Sequence, residues 1–65
     1  MGKKLNRIKT VLVDKDMSQT QLAERLGKSF STVNGYCCNR QQPNLETLEG
    51  IAKILGVSIK DLINE

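Results

Sequence analysis

Histidine and tryptophan are absent, and phenylalanine, tyrosine and proline each occur once in 65 residues. Without histidine the chain lacks the side chain that most often serves as general base or metal ligand near neutral pH. With one tyrosine and no paired carboxylates in an evident cleft, nothing points to catalysis. Cysteine is confined to the adjacent pair Cys37-Cys38. Chelation from one segment normally needs a wider spacing such as C-x-x-C, and neighbouring cysteines do not easily reach disulfide geometry. The expectation is two reduced thiols, with no metal and no cofactor. Long apolar runs are missing too: none approaches the roughly 20 residues of a membrane span. The basic start Met1-Gly2-Lys3-Lys4 is not followed by an apolar signal-peptide core. These absences predict a cytoplasmic, non-enzymatic protein with no membrane partner.

What remains fits one domain, residues 1–65. A core of this size rarely supplies more than about 3–5 kcal/mol, so oligomerisation is an expected support. The net charge of +3 is unevenly placed. Residues 1–15 hold Lys3, Lys4, Arg7, Lys9 and Lys15 against Asp14, whereas residues 43–65 hold Lys53 and Lys60 against Glu46, Glu49, Asp61 and Glu65. A basic front half suits a surface that meets a polyanion.

The apolar residues recur at helical, not strand, spacing throughout. A first helix is expected from about Lys4 to Lys15, with Leu5, Ile8, Val11 and Leu12 buried and Val13 outside the stripe. Ser18 opens a second, with Gln21 at the reciprocal capping position and Met17 and Leu22 at staple spacing. Leu22, Ala23 and Leu26 form its inner face, and Gly27 ends it in the left-handed region. Ser29 starts a third, anchored by Val33 and Tyr36 and ended by Asn39. Phe30 falls at the same three-residue spacing and is a candidate for packing as well. Asn44 caps a fourth, whose stripe is Leu45, Leu48, Ile51, Ala52 and Leu55, closed by Gly56. Ser58 and Asp61 frame a short fifth, about Ile59 to Ile63. The fold class is therefore all-α, a compact five-helix bundle.

The stretch from Ser18 to Pro43 carries the chemistry. Two helix starts stand on either side of Gly27, and the second helix has small polar side chains on its free face. A duplex offers phosphates, which position a protein, and base edges, which specify sequence. A helix-turn-helix braces one helix against another and presents the N-terminal residues of the second to the major groove. Gln19, at the first turn of helix two, is placed to hold a phosphate beside free N–H groups. Ser29 and Thr32 are placed likewise at helix three, and Arg40, with Gln41 and Gln42 as weaker candidates, just past it. Ser31 and Asn34 have donors and acceptors for base edges, and Phe30 can touch a thymine methyl.

Residues 17–63 resemble the Cro and phage-repressor (XRE-like) family of helix-turn-helix regulators. The matching residues are Ser18-Gln19, Leu22-Ala23-Glu24-Arg25-Leu26-Gly27, Ser29, Ser31-Thr32-Val33, Tyr36, Pro43, Leu45-Glu46-Thr47-Leu48, Ile51 to Ser58 and Asp61-Leu62. The resemblance implies a lambda-repressor-like DNA-binding domain that binds double-stranded DNA, usually as a symmetric dimer. By position it assigns base reading to Phe30, Ser31 and Gly35, and phosphate contact to Gln19, Ser29, Thr32, Arg40 and Asn44. Many family members carry long polar side chains where this chain has Phe30 and Gly35. Gly35 has no side chain to reach a base, which shifts base reading towards Asn34. The expected function is a sequence-specific repressor that binds a palindromic operator as a homodimer. The alternatives are an antitoxin-like or restriction–modification controller autoregulator, or a protein–protein adaptor on the same fold.

Overall fold

The computed structural model describes residues 5–63. Four α-helices follow in order: α1 (Ile8–Asp14), α2 (Gln19–Leu26), α3 (Phe30–Cys37) and α4 (Leu45–Leu55). The fifth expected helix is a single 3₁₀ turn, Ile59–Leu62. Helix α2 packs on α3 and α4, α1 packs on α3 and the 3₁₀ turn, and that turn packs on α4.

The local start and stop signals act as expected. Ser18 and Gln21 form a reciprocal capping box, with Gln21 N–H donating to Ser18 Oγ at 3.0 Å and Ser18 N–H donating to Gln21 Oε1 at 2.9 Å. Thr32 N–H donates to Ser29 Oγ at 3.2 Å, and Thr47 N–H to Asn44 Oδ1 at 2.8 Å. Each satisfies a backbone donor that the first helical turn leaves without a partner. Ser58 donates from N–H and Oγ to one carboxylate oxygen of Asp61. Those bonds hold the exposed Asp61 carboxyl below its ordinary range. Gly27 closes α2 at φ +73°, a conformation that a side chain would strain.

The start of α1 departs from expectation. The i, i+3 spacing from Leu5 extends the helix back to about Lys4; it begins at Ile8, and Lys4 lies outside the described residues. Residues 5–7 spend their backbone groups elsewhere. Leu5 and Asn6 N–H both donate to Asn39 Oδ1, at 2.8 and 2.9 Å, and Arg7 N–H donates to Leu62 O at 2.8 Å. Asn6 pairs with Ile63 in an isolated antiparallel bridge. A helical conformation would withdraw those groups from their tertiary partners, so the segment stays outside the helix and Leu5 is half-exposed.

Ile8, Leu12, Leu22, Val33, Ile51, Leu55 and Leu62 form the centre of the core. A further apolar expectation fails at the periphery. Leu45, at the first position of α4, is 66 % exposed, because the buried stripe of that helix gathers in its later turns at Ile51, Ala52 and Leu55. Ile63 lies past the 3₁₀ turn in extended backbone and is exposed as well. Val13 stands outside the core, as its position outside the stripe predicted.

Candidate nucleic-acid interface

The core fixes α3 through Val33 and Tyr36, both buried, and leaves its opposite side at the surface. At its N-terminus Phe30 and Ser31 are adjacent and exposed. Phe30 is the larger departure from burial, 52 % exposed, so the chain's one phenylalanine is not a core residue. Ser29 is committed to its cap, and its hydroxyl also donates to Thr32 Oγ1 at 3.0 Å. The two hydroxyls thus form one small polar cluster at a helix N-terminus, where N–H groups and the helix dipole favour an anion.

Asn34 lies between two expected phosphate ligands and touches both. Its Nδ2 donates to Gln19 Oε1 at 2.9 Å, and its Oδ1 accepts from Arg40 Nη2 at 3.0 Å. The Cys38 thiol donates to the same oxygen at 3.7 Å. The first residue of α2, the middle of α3 and the loop after α3 are therefore joined by one amide. Both polar atoms of Asn34 have protein partners, so contact with a base edge requires that it exchange one of them. Asn44 is exposed, with its oxygen committed to the cap of α4.

Gly35 is buried. It offers no contact of its own on the surface, and the Gln41 side chain covers it. Arg40 and Gln41 hang from its carbonyl through their N–H groups, at 2.9 and 3.3 Å.

The loop that presents Arg40 and Gln41 is held from behind. Asn39 adopts φ +60°, a left-handed conformation that asparagine tolerates. Its Nδ2 donates to Asn6 O at 3.2 Å, and its Oδ1 also accepts from Gln42 Nε2 at 3.1 Å. Asn6, the buried polar residue among those described, donates from Nδ2 to Tyr36 O at 2.9 Å and to Gln42 Oε1 at 2.8 Å. Sequence reasoning did not single out Asn6, and Asn39 was expected only as a helix stop. No local pattern marked the former, which lies off the apolar stripe of Leu5, Ile8, Val11 and Leu12.

Cys37 is buried and Cys38 exposed, both as free thiols. The Cys37 thiol is pushed up to about 11, first by burial and then by its neighbour Cys38, with Lys9 opposing. Thiolate, not thiol, is the reactive form. A thiol-alkylating reagent at neutral pH is expected to modify Cys38 and spare Cys37, as read by fragment-ion mass spectrometry; faster labelling of Cys37 would contradict the burial argument.

Two short helices held at a turn, with the second braced by core residues and exposed at its N-terminus, define a helix-turn-helix protein. The chain belongs to the helix-turn-helix family of the Cro and phage-repressor type, whose family model matches residues 8–62. It is 33 % identical over 60 residues to the transcriptional repressor RstR of the cryptic phage CTXphi in Vibrio cholerae, covering 92 % of this chain and 54 % of that protein. The chain spans about half the length of the curated relatives it matches. Among solved structures, a Bacteroides fragilis protein described as DNA-binding is 45 % identical with a TM-score of 0.91, covering 92 % of this chain and 97 % of that one. The Bacillus subtilis biofilm regulator SinR, solved in complex with DNA, is 33 % identical with a TM-score of 0.75, covering 83 % and 87 %.

Proposed function

We propose that this chain is a sequence-specific transcriptional repressor that places α3 in the major groove of double-stranded DNA and binds a palindromic operator as a homodimer. The observation that carries this reading is the Gln19–Asn34–Arg40 chain of hydrogen bonds, which sets two potential phosphate ligands on either side of Asn34 in the middle of α3. Its relatives named as phage repressors, and the DNA-bound SinR, support the same assignment. Phe30 and Ser31 face the bases. Gln19, Ser29, Thr32 and Arg40 hold phosphates, with Asn44 at the margin, and Asn34 orients Gln19 and Arg40. No described helix is long and apolar enough to cross a membrane.

Selection from random duplex DNA with the purified protein tests the proposal. A homodimer should enrich a palindrome whose half-sites lie about 10–10.5 base pairs apart, one helical turn, or a multiple of it. Enrichment of nothing would favour a protein–protein adaptor. Arg40→Ala should weaken binding to every duplex and reduce the salt slope by about 1, as loss of one phosphate contact does. A loss confined to one operator would contradict a phosphate role for Arg40.

A further inference from the structure

The exposed side of α3 has a gap at Gly35, and another part of the chain lies across it. Positions 31, 32 and 35 share a face of the helix through i, i+3 and i+4 spacing. A Cβ placed on Gly35 would stand 2.6 Å from Nε2 of Gln41 and 3.1 Å from its Cγ. The Gln41 side chain thus fills the space that a side chain at position 35 would enter. Its backbone is held there by the bond from its N–H to the Gly35 carbonyl. Its Nε2 donates to Thr32 O at 3.4 Å, beyond the usual range of about 2.7–3.2 Å, so the amide is easily drawn to a better acceptor. Gln41 is otherwise exposed.

We infer that Gln41 is a specificity-determining residue: it substitutes, from the loop, for the side chain that Gly35 lacks, and presents its amide to a base edge beside Ser31. A glutamine amide in the major groove pairs bidentately with the N6 and N7 of adenine. This role rests on the operator binding proposed above. Glycine is unfavourable inside a helix relative to alanine, and the space taken by Gln41 is the physical reason for keeping it at position 35. The neutral amide distinguishes Gln41 from Arg40, whose charge serves phosphates irrespective of sequence.

The test is selection from random duplexes with the wild-type chain, Gln41→Ala, Gln41→Glu and Gly35→Ala, each checked for folding by thermal denaturation. The wild type is expected to prefer adenine at one position of each half-site. Gln41→Ala should lose that preference by about 5- to 150-fold and keep the others. Gln41→Glu should move it towards cytosine, whose N4 amino group donates to a carboxylate. Gly35→Ala, which displaces Gln41, should blur the same position; should that variant not fold, the two Gln41 variants carry the test. Uniform weakening by Gln41→Ala with every preference retained would overturn the inference, as would a Gly35→Ala effect at a different position. A wild-type chain that enriches no motif would overturn the operator reading and this inference with it. A wild-type motif that Gln41 variants leave intact would overturn this inference alone.

Discussion

Asn6→Ala is expected to lower the unfolding free energy by about 1–3 kcal/mol, since it leaves one buried backbone donor without its partner. That donor is Ile8 N–H, which donates to Asn6 Oδ1 at 3.1 Å; Tyr36 O loses the bond from Asn6 Nδ2 at 2.9 Å and keeps the one from Asn39 N–H at 3.1 Å. A domain of this size has a margin of only about 3–5 kcal/mol, so the variant should lose a large share of its stability. Leu5→Ala, next to it, keeps every backbone bond and removes a half-exposed side chain; it should cost less than about 1 kcal/mol. Urea denaturation of the two variants separates a polar clip from mere packing of the N-terminal segment. An Asn6→Ala effect within about 0.5 kcal/mol of wild type would show that the network is not holding the fold together. The consequence reaches the interface. Asn6 Nδ2 donates to Gln42 Oε1 at 2.8 Å, at the end of the loop that carries Arg40 and Gln41, so the folded fraction of Asn6→Ala should also bind DNA less tightly.

The second large effect concerns Asn34. If its amide orients Gln19 and Arg40, Asn34→Ala should weaken binding to all duplexes by roughly 1.5–3 kcal/mol, the range for hydrogen bonds involving a charged group. It should also be strongly non-additive with Arg40→Ala. Directly bonded residues couple by about 0.5–3 kcal/mol, while independent sites add to within about 0.5 kcal/mol. Anisotropy titrations of the two single variants and the double, at one fixed salt concentration, give that coupling; salt must be fixed because phosphate binding depends on it so steeply. A direct base reader behaves otherwise: Asn34→Ala would relax one operator position and add to Arg40→Ala independently. That pattern would sink the orienting role and return Asn34 to the bases.

Much of the fold was legible because it is encoded locally. Ser18 with Gln21, Ser29, Asn44, and Ser58 with Asp61 each announce a helix start through bonds that span three residues. Gly27 and Gly56 mark the ends by the positive φ they permit. The periodicity located Ile8, Leu12, Leu22, Val33, Ile51, Leu55 and Leu62 in the core correctly. It misplaced Leu5 and Leu45, because spacing says which face a residue shares and not how far along a helix the neighbouring elements extend. Within the candidate interface, residue type and position proposed Gln19, Ser29, Thr32 and Arg40. What type could not convey is that Gln19, Asn34 and Arg40 touch one another.

The sequence alone, then, determined the element order, the helix-turn-helix, the family and the stretch proposed to meet DNA, since caps, breakers and 3.6-residue periodicity act over a turn or two of chain. Tertiary structure decided the rest. It stopped α1 at Ile8 by drawing the N–H groups of residues 5–7 to Asn39 and Leu62. It engaged the Asn34 amide from both sides, and it laid Gln41 over Gly35. These bonds join residues as far apart as the 36 positions between Asn6 and Gln42. Such a partner is chosen only when packing has already brought two helices and a loop to hydrogen-bonding distance, and no local pattern in the chain records that choice.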